Sequence, residues 1–427
     1  MSIPIVPQAP GTSPSDEAGA VRANDVLHHM RPGPLQLQAL PPLSVYVHLP
    51  WCLRKCPYCD FNSHEWKSRQ GEGEAFPEQR YIDAVLADLD AALPLVWGRT
   101  VHSVFIGGGT PSLFSPEGID RLLGEMRARL KFTPDCEITL EANPGTFERE
   151  RFRAFRGAGA TRLSVGVQSF NDAHLKALGR VHDRSQAIAA VEEARDAFDT
   201  FNIDLMYALP GQSAEQLQAD LEQALALQPP HLSVYHLTLE PNTYFAKHPP
   251  KNLPPEDDAY AMLDAITAAT GAAGLARYEV SAYAREGHRC WHNLNYWQFG
   301  DYLGLGAGAH GKLSFAHRIV RQVRFRDPRL YMDNALAGRA VAQSDDVALA
   351  DLPFEYMLNA LRLKDGFSFA QFGERTGLAI TAIQRALEEA EHKGLLARDL
   401  WHAWPTEKGF DFLSDLQEMF LPDTAGQ

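Results

Sequence analysis

Cys52, Cys56 and Cys59 stand within HLPWCLRKCPYCDF, three thiols in eight residues directly after an apolar run. Three thiolates can hold three corners of an iron–sulfur cube, which leaves one iron without a protein ligand and open to a substrate. Two other readings stay open. Structural zinc takes four N or S ligands in paired short spacings, and His48 and His64 stand near enough in sequence to complete such a set. The thiols are otherwise plain structural cysteines, the role expected of the isolated Cys136 and Cys290. With five cysteines in 427 residues and no secretory signal in the sequence, a reduced cytoplasmic setting is expected rather than disulfides.

Chemistry at a loop needs a scaffold to aim it. Apolar runs at SVYVHL, VHSVFIGG, CEITLEAN, RLSVGVQS, FNIDLMYAL and LSVYHLTL are each followed by an amphipathic segment. Three of those segments carry start signals: Ser115 before Pro116, Ser185 opening SQAIAAVEEA, and Ser213 with Gln216 as a capping box. Six such units predict an α/β fold, a parallel sheet closed or partly closed into a (β/α)6 barrel. Ligands in such barrels are read at the strand ends, and the polar residues fall there. The cysteine loop follows the first strand and Gly107–Pro111 (GGGTP) the second, while Glu141, Gln168 and Thr238 end the third, fourth and sixth. The glycines would let backbone amides approach a small ligand, although a glycine turn between strand and helix is also common for purely structural reasons. Glu141 is either a ligand contact or a buried carboxylate satisfied by its neighbours.

The order YVHLPWCLRKCPYCDF, GGGTPS, LEANPG, GVQSFN, GRVH and IDLMYALPGQ resembles the radical S-adenosylmethionine (SAM) enzymes, in the branch around the oxygen-independent coproporphyrinogen III oxidase. The resemblance implies a [4Fe-4S] cluster on Cys52, Cys56 and Cys59, with the fourth iron chelated by the amino and carboxylate groups of SAM. One electron from the cluster can then cleave the sulfonium to a 5′-deoxyadenosyl radical. It also implies SAM contacts at Tyr46, Tyr58, Gly108, Gly109, Thr110, Glu141, Gln168, Arg180 and Asp204, and an adenine-side position at Thr238.

Two departures separate branches within that family. Where the oxidase carries a fourth cysteine, two residues beyond Cys59, this chain has Phe61. The segment His292–Trp297 (HNLNYW) resembles the HNxxYW signature of the HemW-type haem chaperones. That likeness implies a haem-binding segment near residues 290–326 with His292, Asn293, Tyr296 and Trp297 at the haem; a neutral imidazole is a common axial ligand and the aromatics offer flat faces. The alternative is a turn whose aromatics pack in the core. Nearby Lys312, Arg318, Arg321, Arg324 and Arg326 form either a solvated strand and loop or an anion-facing patch for carboxylates or lipid headgroups, in which the four arginines would pair with haem propionates. The expected function is delivery of haem to an acceptor protein, one at the membrane included. A flavodoxin or ferredoxin would serve as electron donor. Oxidative decarboxylation of coproporphyrinogen III is the second reading.

The ends of the chain differ from the barrel segment at 41–340. Residues 1–40 are rich in Pro, Gly, Ala and Ser without sustained period and are expected to form a flexible extension. Residues 345–421 show three short helix signals, the last opened by Thr381 and closed by Gly394, then a hairpin pattern. Together these suggest a small winged-helix-like α+β module. The net charge of −14 and the lack of a basic recognition helix argue against nucleic acid. No apolar stretch approaches membrane-spanning length.

Overall fold

A computed structural model describes residues 24–66, 76–145 and 151–422. Six parallel strands form its centre: β1 (Leu43–Leu49), β2 (Thr100–Gly108), β3 (Lys131–Ala142), β4 (Arg162–Gln168), β5 (Thr200–Tyr207) and β6 (His231–His236). They match the six apolar runs. Helices α1 (Glu78–Ala92), α2 (Pro116–Arg129), α3 (Phe152–Gly157), α4 (Asp172–Ala177), α5 (Arg184–Ala197) and α6 (Ala214–Ala226) connect them, and α7 (Glu256–Ala272) follows β6. Alternation along β1 sets the two faces. Val45, Val47 and Leu49 join the main core, while Ser44, Tyr46 and His48 occupy the alternate positions, where Ser44 Oγ meets Ser103 Oγ of β2 at 2.7 Å. The lumen of the barrel is therefore polar and the outer layer greasy.

Ser115 caps α2 and the Ser213/Gln216 box caps α6. α5 begins earlier than Ser185 suggested. Asp183 accepts from the Gln186 amide and completes a box with the Gln186 side chain, while Ser185 donates its hydroxyl to Asp183 Oδ1 from inside the first turn.

The sheet then grows beyond the six strands. β7 (Ala276–Arg277), at the edge, pairs antiparallel with β8 (Ala282–Ala284), which pairs antiparallel with β6. β9 (Asp301–Leu305) pairs parallel with β1, and β10 (His310–Phe315), β11 (Arg318–Arg324) and β12 (Val341–Asp346) add an antiparallel flank. Among the described residues the order is β12-β11-β10-β9-β1-β2-β3-β4-β5-β6-β8-β7, a sheet with two free edges and hence a partial barrel. Between β8 and β9, HNLNYW forms a short helix, α8 (Trp291–Trp297).

The C-terminal module has helices α9 (Leu352–Ala360), α10 (Phe369–Thr376) and α11 (Gln384–His392) and a small sheet of Phe367–Ser368, His402–Pro405 and Leu396–Arg398. Gly394 takes φ 69° after α11, the left-handed turn that stops a helix. Thr381 does not open it, because the turn Ile380–Ile383 is 3-10 and α11 starts without a side-chain cap. The module's core of Tyr356, Phe367, Phe372 and Leu387 also takes in Leu35 and Leu37. The flexible extension expected over 1–40 falls, for 1–23, outside the described residues. From Asn24 onward the chain is docked: the Leu37 amide donates to Ala316 O, and two buried leucines hold the segment against the module.

Candidate cofactor site

The cysteine loop is set by its own aromatic anchor. Trp51 packs on Tyr81 at 4.8 Å and Phe76 at 5.3 Å, which pulls Cys52 beneath the surface. The Cys59 amide then donates to Cys56 O, closing a tight turn. Backbone carbonyls of the loop are captured by side chains: Lys55 Nζ donates to Phe61 O and Ser63 O, and Asn62 Nδ2 donates to Ala307 O and Arg326 O. His48 Nε2 donates to Asn62 O, which leaves Nδ1 to accept from the Tyr46 hydroxyl at 2.9 Å. Burial lowers the His48 pKa to about 4, so this neutral tautomer persists at ordinary pH.

All three thiols line one cavity of about 360 Å³. Burial pushes the Cys52 thiol up to about 11 and raises Cys59 as well, so a metal must displace protons to bind here. Among the described residues no three His, Cys, Asp or Glu side chains converge on a single ion. Three sulfurs on a roomy cavity, with Phe61 in place of a fourth, fit a cube with one open iron.

The strand ends close around the same space. Gly108 has φ 116°, and a Cβ there would lie 2.6 Å from the His48 ring; at Gly109 it would lie 2.6 Å from Trp51 O. The glycines are thus required by the chain's own packing. Their amides are also spent: Gly108 N donates to Glu141 Oε2, Gly109 N to Leu49 O and Thr110 N to Trp51 O. The expectation that these amides meet a ligand is corrected, since all three already donate within the fold.

Glu141 and Asp204 both line the cavity. Burial first, and then repulsion from Asp204, raises the Glu141 pKa to about 7; burial raises Asp204 too, despite donors from Ser164 Oγ and Asn202 Nδ2. Arg180 stands beside them. Its Nη2 donates to Gly166 O and Asn143 Oδ1 at 2.6 Å, its Nη1 approaches Cys56 Sγ at 3.7 Å, and its buried Nε has no acceptor. Two carboxylates with raised pKa values and an arginine with a spare donor suit a ligand carrying both cationic and carboxylate groups, as SAM does. Tyr58, Gln168 and Thr238 line the cavity as well, Gln168 at φ 70°. Tyr46 is not on its wall and supports His48 instead.

The HNxxYW helix lies against β1 and β2. His292 is 9% exposed, with its ring 5.0 Å from Phe105 and 6.4 Å from Tyr46 and its Nδ1 3.3 Å from Ser103 Oγ. Burial lowers its pKa to about 3. Asn293 is buried, Tyr296 packs on Tyr302, and of the four only Trp297 reaches the cavity wall. The basic run does not form an anion-facing patch. Arg324 lies against Asp88 at 3.2 Å with both fully buried, Lys312 pairs with Asp301 at 2.9 Å, Arg321 with Glu355 at 2.6 Å and Arg318 with Asp346 at 2.9 Å. Four of the five charges are consumed by carboxylates of the fold itself.

Sequence reasoning missed Asn143, which bridges Arg180 and Thr110 Oγ1, although it stands inside LEANPG. It also missed Glu279 and Arg362, which belong to no motif and reach the cavity through the β6–β8 edge and the module.

Residues 46–224 match the model of the Radical SAM superfamily and residues 347–412 that of the HemN C-terminal domain. The protein is 46% identical to Heme chaperone HemW of Escherichia coli (strain K12), over 90% of this chain and 99% of that one. It is 32% identical to Heme chaperone HemW of Bacillus subtilis (strain 168), over 86% and 96%. Coproporphyrinogen III oxidase (HemN) from Escherichia coli, a radical SAM enzyme, superposes with a TM-score of 0.77 over 96% of this chain and 94% of that one; at 23% identity this shows the shared fold. A radical SAM domain takes a [4Fe-4S] cluster and SAM, and the thiols, carboxylates and Arg180 around the cavity fit both. The chain belongs to the HemW family of the radical SAM superfamily.

Proposed function

We propose that this protein is a cytoplasmic haem chaperone that binds a [4Fe-4S] cluster, SAM and haem, hands haem to an acceptor protein, and has no coproporphyrinogen oxidase activity. The reading is carried by identity to proteins named as heme chaperones along almost their whole length, and Phe61 on the cavity wall supports it. When bound, the cluster supplies one electron at a time and an open iron. The chain's own residues do the rest: Cys52, Cys56 and Cys59 hold the cube, the Gly108–Thr110 turn and Glu141 receive an amino group, and Arg180 offers its unused Nε donor to the ligand. A flavodoxin or ferredoxin is the electron donor in this reading, and the acceptor is a haem protein, one at the membrane included. Among the described residues no helix is long and apolar enough to cross a membrane. The third helix of the module, α11 (QRALEEAEH), has three glutamates, unsuited to a nucleic acid backbone.

Haem is proposed to meet the HNxxYW helix at Trp297, where that helix touches the cavity. The enclosed imidazole of His292 holds the helix through Ser103, with Asn293 buried beside it and Tyr296 packed on Tyr302. His292→Ala should therefore weaken haem binding less than Trp297→Ala, followed in the Soret band; a larger loss for His292→Ala would restore axial ligation by that residue. Anaerobic reconstitution with iron and sulfide, then incubation with coproporphyrinogen III and SAM, tests the function itself. No protoporphyrinogen IX is expected, and its formation with turnover would make the protein an oxidase.

A further inference from the structure

The C-terminal module contributes a side chain to the cavity. The Lys364 amide donates to Tyr278 O and Leu363 bridges to Glu279, so the backbone fixes Arg362 against the edge of the barrel. Arg362 and Trp297 both line the cavity. The guanidinium carbon sits 4.2 Å from the centre of the Trp297 ring, a cation–π contact that holds the two groups together. Trp297 is 2% exposed, yet its indole Nε1–H has no acceptor, and neither has the buried Nε–H of Arg362. A buried donor left unmade is costly, and two of them on neighbouring residues that both line the cavity mark a place where an acceptor belongs. Glu279 does not fill it. Its Oε2 lies 3.5 Å from Arg362 Nη2, and its Oε1 accepts from the Ser281 amide.

We propose that Trp297 Nε1 and Arg362 form a carboxylate-receiving subsite of the cofactor cavity. An N–H of a guanidinium beside an indole N–H presents two donors to a two-oxygen acceptor. Carboxylates could come from two sources, a haem propionate or SAM itself; the haem source rests on the function proposed above, the SAM source on the radical SAM assignment alone.

The cluster-loaded full chain is titrated with two ligand pairs, haem against its dimethyl ester and SAM against decarboxylated SAM. In the wild type the carboxylate-bearing member of one pair should bind about tenfold more tightly. Arg362→Gln should erase that preference while leaving the carboxylate-free member unchanged, and Trp297→Phe should erase the preference as well, the ratio within the pair being the readout. The pair that responds identifies the source. A purely structural role would weaken both members of a pair alike, and Trp297→Phe keeps an aromatic ring in place should loss of Arg362 disturb the module. Preferences unchanged in both variants, or absent from the wild type in both pairs, would mean that water fills the site and would overturn the proposal. If haem does not bind at all, the chaperone reading falls and the SAM pair still decides the subsite.

Discussion

Charge is treated in opposite ways on the two sides of β1. Toward β2–β5, at the cavity, Glu141 and Asp204 repel each other and Arg180 keeps a donor unused. Toward β9–β12 every described pairing is closed within the fold: Arg324 on Asp88, Lys312 on Asp301, Arg321 on Glu355. A buried charge without a partner is a strong expense that folding alone does not retain, so the first side is shaped for ligands and the second for stability.

The contrast breaks most completely at the sulfurs. Cys56→Ser should abolish the brown, redox-active cluster after reconstitution while leaving the far-ultraviolet circular dichroism unchanged; a normal cluster in that variant would remove Cys56 from the ligand set. Next comes the closed side. Arg324→Met strands the fully buried Asp88 carboxylate and should cost about 3–5 kcal/mol in denaturant unfolding, whereas a cost under about 1 kcal/mol would show that the pair is not the internal support described.

On the open side, Glu141→Gln should separate binding from stability. The Glu141 pKa is raised from 4.5 to about 7. Below the unfolded value neither state is charged and there is no penalty; as pH rises toward 7 the folded state retains a proton that the unfolded chain has lost, and stability declines through that window. The penalty is complete above it. The variant should thus gain about 1–3 kcal/mol over wild type near pH 8, gain nothing below pH 4.5, and bind SAM about tenfold more weakly. A variant less stable than wild type near pH 8 would contradict the repulsion. The smallest effect belongs to Arg318→Ala, whose partner Asp346 is half exposed: about 0–1 kcal/mol of stability and an unchanged haem affinity. A clear loss of haem binding there would reinstate the basic run as a propionate site.

The same contrast explains what the residues disclosed. Strand and helix periods, the Ser115 and Ser213 caps and the cysteine loop are local signals, and they located the six strands and most of the cavity. The basic run was ambiguous because two of its partners, Asp88 on α1 and Glu355 on α9, lie far off in sequence, and only the packing of those helices on the sheet brings them close. Arg362 was silent for the same reason: contacts with the distant segment Tyr278–Glu279 carry it to the cavity. His292 looked available for iron until the lumen closed around it. Glu141 was legible as a strand-end carboxylate, but its elevated pKa comes first from burial and then from Asp204 two strands away.

Haem titration of the cluster-loaded protein, followed by mixing with a haem-free haem protein, is the most direct test of the whole account. A saturable Soret shift that moves to the acceptor, without formation of protoporphyrinogen IX from coproporphyrinogen III, is the result predicted. No saturable shift, or turnover of coproporphyrinogen III, would contradict it.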